Sequence, residues 1–233
     1  MPEERQAASG LIGWAAVGNL MDYPHPIIAR EGWPFVAVSL LGAIAIQLLF
    51  GFWWALPLWL IALFIIQFFR DPPRTSPTDS YAIVSAADGR VVVVERARDP
   101  YLEREALKLS VFMNVFNAHS NRSPYEGEVV RTWYDRGSFL NASLAKSSME
   151  NERAAIWLRT PEGHDVTVVQ VAGLIARRIL CYAKPGQYLK RGERFGFIRF
   201  GSRVDVYLPL NAVPKASVGD KVYATLTTLA ELR

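Results

Sequence analysis

The chain has 233 residues, of which 51% are hydrophobic and 21% charged, with a formal net charge of +4 and a single cysteine, Cys181. This composition excludes a disordered or fibrous protein, and one cysteine excludes an internal disulfide. The modest basic excess suits an anionic membrane surface or a phosphate-bearing substrate, whereas scattered Lys and Arg without zinc spacing or an RNP-type aromatic run argue against nucleic acid as a partner.

In chain order, residues 1–33 read as an interfacial segment, with a short helix expected over Leu11–Met21 and ended by the prolines of "DYPHP". His25 lies between two of those prolines and reads as structural. From Gly32 to Phe69 there is no Lys, Arg, Asp or Glu. One unbroken helix of that length would reach about 55 Å, well beyond a hydrocarbon core of about 30 Å. A membrane helical hairpin over 34–69 fits better. Its spans are expected at Phe35–Phe50 and Trp54–Phe69, joined near Gly51 and Pro57, with Trp53 and Trp54 as interfacial anchors. Arg30 precedes the pair and Arg70 and Arg74 follow it, so the positive-inside rule puts both ends on the cytoplasmic side. A cleaved signal peptide is not expected, because the apolar stretch starts late, is long and ends without small residues. The competing reading is a buried hairpin of a soluble protein, which helices apolar all round disfavour.

"RDPPRTSPTDS" (70–80) is a linker. Beyond it, over 81–233, the periodicity changes to short β runs. "IVSAADGRVVVVERA" carries a hairpin signal at Ala87-Asp88-Gly89. "ALKLSVFMNVF", "EGEVVRTWY", "RAAIWLRT", "HDVTVVQVAGLIARRILCY", "FGFIRF" and "RVDVYLP" follow at strand length. The best helix signal, "FLNASLAKSSMENE" (139–152), also reads as a loop. The fold class expected is mainly β (α+β): a two-helix N-terminal membrane hairpin followed by a β-rich cytoplasmic domain. Cys181 lies in a strand and reads as packing; His164, beside the Pro161-Glu162-Gly163 turn, reads as a solvated tip residue.

Three dispersed histidines and one cysteine give no metal-ligand pair at zinc spacing. No phosphate-binding loop or dinucleotide fingerprint is present. Three residues with local oddities remain. Asp88 precedes a glycine, as hairpin aspartates commonly do. His119, in "FNAHSNRSP", stands where a buried strand breaks into polar residues, at a sheet rim or simply in a turn. Ser202 follows Gly201 in "RFGFIRFGSRVDVYLP", a break in a good β segment where the backbone is open to close approach. A Gly-Ser pair alone is also a frequent turn.

"FFRDPPR", "SAADGRVV", "FMNVFNAHSNRSP", "VAGLIARRI" and "KPGQYLKRGERFGFIRFGSRVDVYLP" occur in this order, and together they resemble the phosphatidylserine decarboxylase family in its short bacterial form. The likeness runs from about Ile28 to Pro209. It implies a proenzyme that cuts itself between Gly201 and Ser202, giving a β chain (1–201) and an α chain (202–233) that stay associated. Ser202 would become a covalent pyruvoyl group, the electron sink for converting phosphatidylserine to phosphatidylethanolamine and carbon dioxide, and no metal is implied. The site would work beside the lipid bilayer, on the cytoplasmic side of a bacterial inner membrane. Asp88 matches the aspartate of the family's self-cleavage triad, and His119 the first histidine of its His-x-x-His-x-Pro segment, associated with decarboxylation. The second position of that segment, often histidine, is Arg122 here, and arginine stays protonated and cannot act as a base. Arg122 instead suits a substrate phosphate or carboxylate, as do Arg177 and Arg178.

Other readings stay open at this point. The lipid is a related serine phospholipid such as archaetidylserine; the chain is a non-catalytic membrane-tethered adaptor; or Ser202, His119 and Asp88 form a serine hydrolase, although the Gly-x-Ser-x-Gly elbow is missing. A homo-oligomer is compatible with all of them.

Overall fold

The computed structural model describes residues 25–137, 151–173, 179–199 and 202–232. The expected Leu11–Met21 helix, most of the 139–152 segment, Arg177, Arg178 and Gly201 lie outside them. The chain divides into two compact units. One takes the N-terminal residues through Ile66 together with Arg70–Pro73, the other Gln67–Phe69 together with Arg74–Arg233.

In the first unit a 3-10 turn, Arg30–Gly32, leads into helix α1 (Trp33–Phe50), with Pro34 in its first turn, where a missing N–H is harmless. Helix α2 (Phe52–Phe68) follows after one residue. That residue, Gly51, has φ +91°, a left-handed conformation that favours glycine, and its N–H caps α1 at Gln47 O (3.0 Å). The sequence placed the bend near Gly51 and Pro57. The break falls at Gly51, and Pro57 stays inside α2, past its first turn, where it removes one i→i−4 hydrogen bond without ending the helix. The apolar residues of the hairpin are turned outward: Val38, Leu48, Trp53 and Trp54 are each more than 70% exposed. Nothing among the described residues covers them, which disfavours the soluble-hairpin reading. The span from Arg30 to Phe50 is long and apolar enough to cross a membrane; α2 is apolar and 17 residues long. The polar Gln47 is satisfied across the hairpin by Trp59 Nε1 at 2.8 Å. At the open end, Ile28 bridges Arg70 and Asp71 N–H donates to Ile27 O (2.6 Å), so the two ends lie side by side.

The second unit is built on an eight-stranded antiparallel sheet. Its strands are β2 (Gly89–Asp99), β3 (Arg104–Met113), β5 (Gly127–Asp135), β6 (Arg153–Arg159), β7 (Asp165–Ala172), β9 (Tyr188–Leu189), β11 (Ser202–Leu208) and β13 (Lys221–Val222), in the order β13-β2-β3-β11-β7-β6-β5-β9. Two three-stranded sheets complete the unit. One joins β1 (Ala82–Val84), β14 (Thr228–Glu231) and β12 (Val213–Pro214); the other joins β4 (Ser120–Arg122), β10 (Arg194–Ile198) and β8 (Ile179–Cys181). Period-two alternation sends Val204, Val206 and Leu208 of β11 into the main core with Leu109, Val111 and Val168. Tyr207 joins a smaller cluster with Ala106, Ala155 and Val169 on the opposite face. Both faces of β11 are covered, so every residue in it is buried.

Two sequence expectations change. The Ala87-Asp88-Gly89 segment does not close a hairpin: β1 pairs with β14, while β2 pairs with β3 and β13. The segment carries the chain from a small sheet to the large one. Gly89 is needed for closeness rather than for a turn, because a Cβ there would lie 2.0 Å from Phe112 O. The run "HDVTVVQVAGLIARRILCY" is likewise split between β7 and β8, which belong to different sheets. Gly89→Ala is therefore expected to cost about 1–3 kcal/mol through overpacking, read as a fall of several degrees in the melting temperature of the purified protein.

Candidate active site

The Gly-Ser break stands where the chain changes sheets. Strand β10 ends in a small sheet at Ile198, and β11 begins in the centre of the large sheet at Ser202. Ser202 sits between Met113 of β3 and Ala172 of β7. Its position along β11 puts it on the same face as Val204 and Val206. It is fully buried, and among the described residues its Oγ has no hydrogen-bond partner. Leaving a buried hydroxyl unsatisfied costs about 1–3 kcal/mol; Ser110 Oγ and Thr225 Oγ1 are buried in the same way among the described residues, and what sets Ser202 apart is its place at the change of sheet after Gly201.

Amides surround this position. Asn151 Nδ2 donates to Ala172 O (2.7 Å), and Asn121 Nδ2 reaches Met113 Sδ (3.9 Å). Gln170 Nε2 donates to Asn121 Oδ1 (2.8 Å). A Cβ at Gly196 would lie 2.5 Å from Gln170 Nε2, so the glycine of "RFGFI" lets β10 close over this amide. Sequence reasoning missed Asn121, Asn151 and Gln170. An amide inside an apolar run, as Gln170 is in "VTVVQVA", was the available signal.

His119 immediately precedes β4 and is completely buried. Its Nδ1 lies 2.9 Å from Asn117 O. A carbonyl only accepts, so Nδ1 donates, and in the neutral ring the lone pair falls on Nε2. The Phe68 ring stacks on the imidazole at 4.2 Å between centroids, and Phe197 stands 6.4 Å away. His119 O accepts from Ile198 N (3.3 Å), which ties the histidine to the end of the strand that leads into Gly201-Ser202.

Asp88 is buried and faces a different group. Arg74 grips its carboxylate with both terminal nitrogens, Nη2 to Oδ2 at 2.8 Å and Nη1 to Oδ1, and Ala224 N donates to Oδ1 at 2.8 Å. Arg74 Nη1 also donates to Ala224 O (2.9 Å). Among the described residues, the structure joins Asp88 to Arg74 and Ala224 and not to His119 or Ser202. Arg74 entered the sequence reading only as a flanking positive charge, yet it is the partner that neutralises Asp88. Arg122 ends β4, buried, with Arg194 opposite it in β10 and Nη1 3.5 Å from Gly192 O. Its N–H donates to Ala86 O (2.9 Å), linking the His119 strand to the Asp88 segment.

Cys181 is half-buried in β8, and burial pushes its thiol above the ordinary range, away from nucleophile chemistry. His164 lies at the β6–β7 turn, where its N–H donates to Thr160 Oγ1 (3.1 Å).

The Arg74–Asp88 pair generates a prediction. Arg74→Met strands a buried carboxylate and is expected to cost about 3–5 kcal/mol. Adding Asp88→Asn to it should recover part of that loss in a denaturant or thermal melt.

Comparison with known proteins bears on the whole chain. The profile of the family described as phosphatidylserine decarboxylase matches residues 61–230. A protein of Nitrosomonas eutropha is 64% identical over 211 residues, covering 91% of this chain and 98% of the relative. One of Nitrosomonas europaea is 64% identical over 209 residues, with 90% and 97% covered. One of Aromatoleum aromaticum is 62% identical over 211 residues, with 91% and 98% covered. Each of the three bears the name phosphatidylserine decarboxylase proenzyme. With a profile match across most of its length and relatives this similar end to end, the chain belongs to the phosphatidylserine decarboxylase family.

Proposed function

We propose that this chain is a membrane-associated proenzyme that cuts itself between Gly201 and Ser202 and then decarboxylates phosphatidylserine to phosphatidylethanolamine. The observation that carries the reading is the buried, unpartnered Oγ of Ser202 at the head of the central strand, in a chain whose relatives are named proenzymes.

The cut is a rearrangement of one peptide bond. Ser202 Oγ attacks the Gly201 carbonyl carbon, and the acyl group passes from nitrogen to oxygen. Loss of the Ser202 α-proton then expels the Gly201 carboxylate and leaves a dehydroalanine. Its enamine tautomerises to an imine, and one water releases ammonia and leaves a pyruvoyl group on residue 202. A hydroxyl that donates to no neighbour has no bond to break before it attacks, and Gly201 adds no side chain beside the carbonyl.

The residues present fit such a group. Met113 and Ala172 flank position 202 without offering a charge that would compete for it. Met113 and Asn121 hold one side, Ala172 and Asn151 the other. A pyruvoyl group supplies a ketone that captures the substrate's amine and accepts the electrons released as carbon dioxide leaves. The chain's own residues do the rest. His119, with its lone pair on Nε2, moves protons, and Asn117 O keeps that tautomer. Arg122 is assigned to the anionic headgroup; its guanidinium suits a phosphate diester. Asp88, expected in the self-cleavage triad, pairs with Arg74 in this structure and fixes the loop between two sheets. A serine hydrolase would need Asp88 to orient His119, and the Arg74 pairing speaks against that reading.

Association of the two pieces after cutting has a physical basis. Strand β11 is hydrogen-bonded to β3 on one side and β7 on the other, and β13 and β14 pair with β2 and β1. For the site's location, we assign the catalytic unit to the cytoplasmic side of the inner membrane. Arg30 and Arg70 at the joined ends of an apolar hairpin support that side.

Purified protein is expected to run as two chains on denaturing electrophoresis, the smaller spanning 202–233 and labelled by a hydrazide. Ser202→Ala should remain full length, take no hydrazide and release no carbon dioxide from carboxyl-labelled phosphatidylserine. An uncut wild-type chain with full decarboxylase activity would sink the proposal. His119→Gln is expected to reduce turnover by about 10²–10⁴-fold, the usual worth of a positioned proton-transfer group.

A further inference from the structure

Phe68 and Phe69 end the apolar run of α2, yet both are buried and belong with the β unit. The end of an apolar helix accounts for their hydrophobicity. It does not account for where Phe68 lies. The His119 imidazole has two side-chain torsions, and the Nδ1 bond to Asn117 O fixes one edge and the tautomer. A bond at one edge does not by itself set the ring plane. The Phe68 ring constrains it, lying 4.2 Å from the imidazole centroid at a 34° tilt.

Phe68 is itself held on two sides. Phe69 meets it edge-on (5.0 Å, 79°), and Phe197 meets it edge-on from β10 (6.4 Å, 75°). Phe69 in turn stacks parallel on Phe197 (5.6 Å, 8°). The three phenyl rings fix one another, and the imidazole rests on the set. The backbone on both sides of the contact is also tied: Gln67 Nε2 donates to Phe116 O at 2.8 Å, one residue before Phe68 and one before Asn117. Phe116 N–H and Asn114 N–H are satisfied by Asn114 Oδ1 and Asn117 Oδ1, so the loop that presents Asn117 O is closed on itself.

We propose that Phe68 is a positioning residue for His119: its ring sets the imidazole plane from which His119 transfers protons. The inference rests on the reading of His119 as the proton-transfer group. A proton-transfer base displaced by about 1 Å can lose roughly a hundredfold in rate, so the expected effect is on turnover rather than on binding.

The test compares Phe68→Leu, Phe68→Tyr and Phe69→Leu in the full-length, self-matured protein, with His119→Gln beside them. Phe68→Leu is expected to lower kcat about tenfold to a hundredfold with KM within about twofold. Phe68→Tyr should restore most of kcat. Phe69→Leu, which supports Phe68 rather than making the 4.2 Å contact itself, should lower it less than Phe68→Leu. In histidine-labelled protein, the His119 ring protons, beside the Phe68 ring at 4.2 Å between centroids, are expected to resonate upfield. Phe68→Leu should move them downfield while His25 and His164 stay in place. A Phe68→Leu chain that stays uncut while Phe69→Leu matures would support the proposal equally. An unshifted His119 resonance, or equal losses of kcat in Phe68→Leu and Phe69→Leu, would overturn it. Unchanged kcat in Phe68→Leu beside an inactive His119→Gln would overturn this inference alone, whereas full activity in His119→Gln would overturn the parent reading.

Discussion

The structure turns on the placement of β11. Its first residue follows a change of sheet, and it is paired with β3 from Ser202 to Leu208 and with β7 from Ser202 to Tyr207. A strand so confined gives Ser202 no latitude: neighbouring strands set its backbone, and packing sets its surroundings. Burial without a partner for Oγ then raises the energy of the resting hydroxyl relative to any arrangement that uses it. The other features of the site are consequences of that confinement. Gly196 lets Gln170 reach under β10, and the amides of Asn121 and Asn151 pack against the residues that flank Ser202.

A second constraint comes from the aromatic end of α2. Phe68 and Phe69 are the last of an uncharged, largely apolar run in sequence, and at the same time part of the packing around His119. One short stretch of chain thus carries two kinds of information. Most of its length says apolar solvent, and its last two rings say aromatic contact with the site. Arg74, five residues beyond Phe69, does something similar. It looks like a flanking charge and is in fact the counter-ion of a buried carboxylate.

Much of this was legible in the sequence. Strand lengths, the apolar hairpin and its break at Gly51 follow from periodicity and from glycine's freedom at positive φ, and the β-rich class followed from the strands. What the sequence could not display was which strand pairs with which. Ala87-Asp88-Gly89 has the composition of a hairpin turn, yet β1 and β2 go to different sheets. The local signal for a tight turn and the signal for a close crossing are the same residue, Gly89. Ser202, His119 and Asp88 were singled out from local oddity and family likeness, but the partner of Asp88 was invisible. Ion-pair partners distant in sequence leave no periodic trace, and nothing in "DPPR" distinguishes a linker arginine from a buried one.

The interleaving of β11 between β3 and β7 has a further consequence once a cut at Gly201-Ser202 is granted. Before cutting, the central strand reaches its slot as part of one polymer, and folding is first order. Afterwards the same strand belongs to a separate short peptide, so regaining the native arrangement from a denatured state becomes a bimolecular encounter diluted by solvent. The architecture thereby acquires a direction in time: it is assembled once, as a single chain, and held afterwards by the slowness of its own disassembly.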